Sequence, residues 1–205
     1  MRKKVVQANP HIRKRMLILC EDKKSSLLYF KSFKIDEDFQ RTLYSVNIEV
    51  YKSKDNSPAG LLNDALERRR RANRERNPYN GGIWIVFDKD IYKQIDDTIK
   101  KAEVNGINWV LSVICFEIWV LLHFKLSSKP FEYCDELVKE LRKYYPEYDK
   151  GKCCFNDLKE LMPTAISNAE WLEKQNQSEI DRGTHICDLS AYTNIHHLVK
   201  ILINK

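Results

Sequence analysis

Two aspartates separated by one residue are the best candidates for chemistry in this sequence. Asp88 and Asp90 directly follow an apolar run at residues 83–87, which itself follows a pair of glycines. An apolar run of β-branched and aromatic residues predicts a strand buried on both faces. Ligands of open α/β sheets bind at the carboxyl ends of strands, and two carboxylates there favour a hard cation such as Mg²⁺. The structural alternative is that one of the aspartates only caps the following helix.

Two more acids follow predicted strands. Residues 16–20 predict a buried strand that ends at Glu21, and a strand at residues 109–113 precedes Glu117. The carboxyl ends of parallel neighbours meet at one edge of a sheet, so Glu21, Asp88, Asp90 and Glu117 predict a site for Mg²⁺ or Mn²⁺. Glu117 lies in an apolar segment, where a lysine or a helix N-terminus could satisfy it instead of a metal.

The elements that would position these acids alternate up to about residue 125. Strands are predicted at residues 16–20, 46–51, 83–87 and 109–113, and helices after Ser25 or Ser26, at 55–76, at 91–105 and in the apolar segment 115–124. Further helices are predicted at 132–143, 155–161, 163–174 and from Tyr192 onward, with a loop at 174–190. The sequence therefore predicts an α/β core at residues 14–125, with a mostly parallel central sheet flanked by helices. A helical C-terminal extension at residues 126–205 would form one compact unit with this core.

Composition narrows the class of protein. The chain has 205 residues and a net charge of +6, which favours polyanionic partners. No apolar run approaches the ~20 residues of a membrane span, and no signal-peptide pattern follows the basic N-terminus. The six cysteines form no C-x-x-C pair, and several lie in apolar segments, as reduced thiols do in a cytoplasmic protein. No P-loop, G-x-G-x-x-G or G-x-S-x-G pattern occurs, which argues against a nucleotide-driven motor or a serine hydrolase.

Basic residues and histidines supply further candidates. Four consecutive arginines, Arg68, Arg69, Arg70 and Arg71, form either a phosphate-contacting ridge or a solvated helix face. Lys24 and Lys89 lie close in sequence to the acids and suit an anionic substrate. His196 and His197 begin the last predicted helix, and we expect at most one of them to be functional because neighbouring residues on a helix point in different directions.

Several blocks of the sequence resemble the RloB-like family, which is associated with bacterial restriction and abortive-infection loci. Residues 18–30 are similar to its first block, where Cys-Glu-Gly-x-Lys-Thr-Glu is usual, with Asp22 in place of Gly and Ser26 in place of Glu. Residues 86–90 resemble its Phe-Asp-x-Asp block, and residues 115–124 resemble its Cys-Phe-Glu-x-Trp-Leu-Leu-Leu-His-Phe block. Residues 148–150, 168–169 and 193–199 resemble its C-terminal part.

The resemblance implies a Toprim-like core and a metal-dependent nuclease that acts as the effector of a bacterial anti-phage defence system. Asp88 and Asp90 would hold Mg²⁺ or Mn²⁺ against the scissile phosphate, and Glu21 would be a further ligand or the general base. Glu117 would ligate the metal or orient its ligands. Lys24, Lys89 or Lys150 would stabilise charge on the phosphate.

The same resemblance bears on substrate and partners. Analogy with Toprim-type toxins of phage defence favours RNA, in particular tRNA, over DNA. The family association also implies an ATPase partner of the AAA or ABC type. Association with a membrane is not expected, and self-assembly into a homo-oligomer stays open.

The sequence is compatible with two rival functions. In the first, the chain is a non-catalytic, partner-binding subunit of an ATPase-containing defence complex, and its acids dock a partner or stabilise the fold. In the second, it is a nucleic-acid-binding module that uses the arginine helix, and its binding depends on salt but not on metal.

Overall fold

A five-stranded sheet forms the centre of the fold. The computed structural model describes residues 14–42, 46–89, 95–152 and 154–203. The strands lie in the order β2-β1-β3-β4-β5. The first four run parallel and the last is antiparallel to β4. Their bounds are β1 (Lys14–Cys20), β2 (Val46–Lys52), β3 (Ile83–Asp88), β4 (Asn108–Val113) and β5 (Tyr192–Thr193). The predicted α/β class with a mostly parallel sheet is confirmed.

Helices flank the sheet and continue through the C-terminal part of the chain. They are α1 (Ser25–Ile35), α2 (Glu37–Thr42), α3 (Pro58–Arg74), α4 (Ile95–Val104), α5 (Glu117–Leu122), α6 (Cys134–Leu141), α7 (Phe155–Leu158), α8 (Met162–Asp181) and α9 (Ile195–Ile203). A short 3-10 turn at Lys159–Leu161 connects α7 to α8, and another at Ile186–Asp188 lies between α8 and β5. Within the described ranges, no helix has the length and apolar character that a membrane span requires.

The two faces of the sheet are covered by different helices, because successive side chains of a strand point to opposite faces. Met16 and Ile18 of β1 belong to one buried cluster, together with residues of α1 and of α5 to α9. Leu17 and Leu19 belong to a second cluster with residues of α3 and α4. The result is a three-layer arrangement in which β1, β3 and β4 are buried on both sides, whereas the edge strand β2 is buried on one side.

The C-terminal part of the chain packs into the same core as the sheet. Phe155 of α7 is fully buried, and its ring centroid lies 5.3 Å from those of Tyr29 and Phe33 on α1. Leu172 of α8 and Leu198 of α9 belong to the same apolar cluster. Together with β5, which extends the sheet, these contacts join residues 126–203 to the α/β part of the chain.

Three features differ from the sequence-based expectations. Helix α8 extends to Asp181, although residues 174–181 are polar enough to predict a loop; the side chain of Asn176 donates to the carbonyl oxygen of Ala191, and Ile180 packs against the core. The last helix begins at Ile195 because the preceding residues form β5. Helix α2 was not predicted.

The expectation that the cysteines are reduced is wrong for one pair. Cys115 and Cys134 form a disulfide with a Cα–Cα distance of 5.9 Å. The fold brings the segment after β4 against the start of α6, and a sequence without a C-x-x-C spacing does not predict that approach. Cys20, Cys154 and Cys187 form no disulfide. Cys153 lies outside the described residues.

His123 is a buried histidine that makes the stability of the fold depend on pH. Its Nδ1 lies 2.9 Å from the carbonyl oxygen of Trp119, and burial lowers the pKa of His123 to about 4. The unfolded chain takes up a proton at this residue near pH 6.5, whereas the folded chain does so only near pH 4, so stability is lost as the pH falls through this window. We expect this difference in pKa to lower the free energy of unfolding by about 3 kcal/mol as the pH falls from about 6.5 to about 4.

Urea unfolding of the wild type and of His123→Asn at several pH values measures this contribution. The variant should lose less stability than the wild type over the same pH range. An identical pH dependence in the two proteins would show that His123 is not the residue responsible.

Candidate active site

The carboxyl ends of β1 and β3 place two acids side by side. Glu21 follows β1 directly, and its amide donates to the carbonyl oxygen of Val86 on β3 at 2.9 Å. In return, the amide of Asp88 donates to the Glu21 carboxylate at 3.0 Å. Both side chains are half-buried. The adjacency of β1 and β3 therefore puts Glu21 and Asp88 at one edge of the sheet, as the sequence predicts.

The environment of Asp88 opposes its negative charge. Burial raises the pKa of Asp88 well above its usual range, and the nearby carboxylates of Glu117, Asp22 and Glu21 raise it further, in that order. The amide of Phe116 donates to Asp88 and acts in the opposite direction. A carboxylate among other carboxylates is stabilised by a cation or by a proton, and such groups cluster at functional sites.

Glu117 is held deeper in the protein by its own set of partners. It is 2 % exposed, and its Oε1 accepts hydrogen bonds from Ser25 Oγ and from the Tyr148 hydroxyl, each at 2.7 Å. Lys150 Nζ lies 3.8 Å from its Oε2. The pKa of Tyr148 is raised, first by burial and then by Glu117, so its hydroxyl keeps the proton that it donates. The lysine that the sequence offered as a partner for Glu117 is therefore Lys150.

The two positions that depart from the family pattern in the first block contact each other. Asp22 Oδ1 accepts a hydrogen bond from Ser26 Oγ at 2.5 Å and one from the amide of Leu27 at 3.3 Å. Asp22 therefore satisfies amides at the start of α1, where a helix leaves donors without partners. Its carboxylate also adds to the negative charge around Asp88.

A cleft of about 800 Å³ opens beside these acids. Its lining includes Glu21, Asp88, Lys89, Lys150, Asn56 and the Cys115–Cys134 disulfide. Lys89 and Lys150 thus bring positive charge to the walls of an otherwise acidic cleft. Lys24 is exposed and does not contribute to this lining.

The acids converge without forming a closed ligand cluster among the described residues. Asp90 lies outside those residues. Within them, Glu21, Asp88 and Glu117 do not bring three ligand atoms within 4.8 Å of one another. Cys115, Glu117 and Cys134 do, but the disulfide occupies both sulfurs. Glu117 lies behind Asp88 and is not part of the cleft lining.

The structure does not bring the four arginines to the acidic cleft. Arg68 pairs with Asp64 at 2.8 Å and Arg71 pairs with Glu75 at 2.9 Å. Arg69 donates to the carbonyl oxygen of Asn105, which lies before β4 and therefore at the amino end of the sheet. Arg68 and Arg71 line a separate groove of about 410 Å³. The nucleic-acid-binding role predicted for Arg68, Arg69, Arg70 and Arg71 would thus use a surface distinct from the cleft.

Ser25 and Tyr148 are the contributors that residue-by-residue reasoning missed. A buried carboxylate needs partners, so the sequence indicates that Glu117 has them. It does not indicate which residues they are. Ser25 hydrogen-bonds Glu117 because α1 starts next to α5 in the fold. Tyr148, the other partner, comes from a loop 31 residues after Glu117.

The geometry defines an α/β protein whose parallel sheet carries an acidic cleft at its carboxyl edge. The family described as RloB-like protein matches residues 16–202, nearly the whole chain. The chain therefore belongs to the RloB-like family. Comparison with curated proteins and with solved structures gave no match.

Removal of the Tyr148 hydroxyl should destabilise the chain by leaving Glu117 with one hydrogen bond fewer. We expect Tyr148→Phe to lower the free energy of unfolding by about 1.5–3 kcal/mol, the usual contribution of a hydrogen bond to a charged group. Tyr133→Phe is the matched control, because Tyr133 is exposed and its hydroxyl bonds only the exposed Glu132 in the described structure. Equal and small effects in urea unfolding would contradict the role of Tyr148.

Proposed function

We propose that this chain is a divalent-metal-dependent nuclease that hydrolyses phosphodiester bonds at the acidic cleft. The observation that carries the proposal is the pair Glu21 and Asp88 at the carboxyl edge of the sheet, with the charge of Glu117 behind Asp88, beside a cleft that also presents Lys89 and Lys150. A bound cation would offset the negative charge around Asp88, and the lysines suit an anionic substrate.

The donor set fits Mg²⁺ or Mn²⁺. The candidate ligands are carboxylate oxygens, which these ions prefer over nitrogen and sulfur. Glu21 and Asp88 would hold the ion, with Asp90 as the additional acid that the Asp-x-Asp pattern offers. When bound, the metal would neutralise the acids and polarise a phosphoryl oxygen. Glu117 would act on this site from behind, through its charge beside Asp88.

Residues of the chain would bind the phosphate and transfer the proton. Lys89 and Lys150 would bind the phosphate and stabilise the charge that builds up on its oxygens. Glu21 would accept the proton of the attacking water at its carboxylate. The water oxygen would bond to phosphorus while the bond to the leaving oxygen breaks. The leaving oxygen would take up a proton from solvent, giving a phosphomonoester and a hydroxyl end.

Our proposals for the substrate and the partner protein rest on family membership and not on a contact in the structure. We propose RNA, with tRNA favoured over DNA, as the substrate of an effector in bacterial anti-phage defence. We also propose an ATPase of the AAA or ABC type as the partner that controls it. Membership in the RloB-like family supports this setting.

Cleavage assays test this function directly. The full chain is incubated with total tRNA, an unstructured RNA or plasmid DNA, each with Mg²⁺, Mn²⁺ or EDTA, and compared with Asp88→Ala/Asp90→Ala. We expect metal-dependent cutting of RNA that EDTA and the double variant abolish. Equal cutting by the double variant would overturn the assignment of the site.

The non-catalytic subunit remains the second candidate, favoured by the full set of partners around Glu117. It predicts that neither Mg²⁺ nor Mn²⁺ stabilises the chain against thermal unfolding. A rise in the melting temperature with Mg²⁺ or Mn²⁺ that disappears in Asp88→Ala would argue against it, even if the isolated chain cuts nothing without its partner.

A further inference from the structure

A second group of potential metal ligands lies at the interface between α8 and α9. His196 Nε2 is 3.2 Å from Glu173 Oε2, and His197 Nε2 is 3.1 Å from each Glu173 oxygen. One ligand atom from each of the three side chains lies within 4.8 Å of the other two. The expectation that at most one of the two histidines would be functional assumed that their rings diverge, but the ring centroids are only 4.1 Å apart and both face Glu173.

Hydrogen bonds between the Asn194 side chain and the backbone of β4 position the start of α9. Asn194 extends the edge of the sheet, since its side chain accepts from the amide of Leu111 at 2.9 Å and donates to the carbonyl oxygen of Trp109 at 3.2 Å. Helix α9 starts at the next residue, so His196 and His197 lie in its first turn against α8. The anchoring of Asn194 therefore places the first turn of α9, which carries both histidines, beside the sheet edge.

The spacing of the ligand atoms suits a tetrahedral ion. With metal–ligand bonds of about 2.0–2.1 Å, two ligands of a tetrahedral Zn²⁺ are separated by about 3.3–3.4 Å. The observed nitrogen-to-oxygen separations of 3.1–3.2 Å are close to this edge length. Two histidines and one glutamate also form a ligand set that zinc enzymes use when a fourth position is left open.

The burial of the group is asymmetric. His196 is 1 % exposed, whereas the His197 side chain is 49 % exposed. His197 and Glu173 line a cleft of about 620 Å³, together with Trp84, Trp109 and Tyr192. The inner side of the group is therefore closed by protein, and its outer side has room for a water molecule or another small ligand.

Charged neighbours on α8 and α9 pair with each other rather than with this group. Lys200, one turn further along α9, pairs with Glu170 at 2.6 Å, one turn before Glu173 on α8. The Tyr192 hydroxyl lies 3.5 Å from Glu173 Oε1. A cation bound here would meet a carboxylate and two imidazoles, with a phenol hydroxyl beside them.

We propose that Glu173, His196 and His197 bind a Zn²⁺ ion that links α8 to α9 and keeps one coordination position open to the adjoining cleft. This site is independent of the acidic cleft. Its nitrogen-containing ligand set selects a borderline ion such as Zn²⁺, whereas the carboxylates of the cleft select Mg²⁺ or Mn²⁺.

Metal titration of the chelator-treated full chain tests the proposal. Zn²⁺ has no visible spectrum, so Co²⁺ is added first as its stand-in and Zn²⁺ is then titrated by calorimetry. We expect one equivalent per chain, visible d–d bands characteristic of tetrahedral Co²⁺, and their loss on addition of Zn²⁺. In His197→Asn and Glu173→Gln the affinity should fall by more than the roughly 10- to 100-fold that loss of an outer-shell partner costs.

Matched variants separate this site from others. His185→Asn changes a histidine that pairs with Asp96 at 2.8 Å and should leave Zn²⁺ binding unchanged, as should Asp88→Asn in the acidic cleft. Circular dichroism of His197→Asn, whose side chain is half-exposed, checks that the variant folds. Absence of stoichiometric binding to the wild type, or equal binding by His197→Asn and Glu173→Gln, would overturn the proposal.

Discussion

Replacement of Asp88 by asparagine is expected to stabilise the metal-free chain and to abolish its response to Mg²⁺. The Asp88 carboxylate is desolvated and faces the carboxylates of Glu117, Asp22 and Glu21, so its charge destabilises the folded state when no cation is bound. Asparagine has the same shape, keeps an oxygen for the amide of Phe116 and removes the repulsion. We expect a gain of about 0.5–2 kcal/mol in the free energy of unfolding, the usual size of a stabilising substitution.

The same substitution should remove metal-dependent stabilisation and metal-dependent cleavage. Thermal unfolding with and without Mg²⁺ measures the first, and the cleavage assay measures the second. Asp149→Asn is the control, because it removes the same charge from an exposed carboxylate whose bond to the amide of Gly151 an asparagine can keep. A less stable Asp88→Asn protein that still responds to Mg²⁺ would contradict the charge-repulsion account of the cleft.

Truncation of Phe155 should destabilise the chain more than Tyr148→Phe does. Phe155 is fully buried between Tyr29, Phe33 and Phe39, with ring centroids 5.3, 5.3 and 5.9 Å away. Phe155→Ala would leave a cavity in this aromatic cluster, which costs about 3–5 kcal/mol. Because the cluster joins α7 to α1, the loss should affect the whole chain in one unfolding transition.

Urea unfolding followed by both circular dichroism and tryptophan fluorescence tests this prediction. Val104→Ala is the control, since Val104 is 88 % exposed and its truncation should change stability by no more than about 0.5 kcal/mol. Two separate transitions, or a loss in Phe155→Ala as small as in the control, would show that the C-terminal part folds apart from the sheet.

The elements that the sequence predicted well are those with a strong apolar pattern. Strands β1, β3 and β4 contain apolar runs buried on both faces, and β2 shows a regular alternation of apolar and polar residues. The observed bounds of these four parallel strands agree with the expectations within two residues. Strand β5 has only two residues and forms because Thr193 and Tyr192 pair with Ser112 and Val113 of β4. A pairing between residues about 80 positions apart has no local signal, so it could not be predicted.

The candidate site was predictable in outline and not in detail. Parallel neighbours place their carboxyl ends together, which is enough to expect Glu21 near Asp88. The hydrogen bonds of Ser25 and Tyr148 to Glu117 depend on how α1 and a distant loop pack against α5. The face shared by His196, His197 and Glu173 likewise depends on the packing of α8 against α9, which a helical periodicity alone does not specify.

Binding of Mn²⁺ to the metal-free chain, followed by the electron paramagnetic resonance signal of the free ion, tests the central claim most directly. It requires neither a substrate nor a partner protein, so it separates the acidic cleft from the question of activation. Glu173→Gln should bind Mn²⁺ as the wild type does, because carboxylate sites suit Mn²⁺ better than imidazole sites. The account predicts saturable binding that is lost in both Glu21→Gln and Asp88→Asn. Absence of binding to the wild type, or unchanged binding in those two variants, would contradict it.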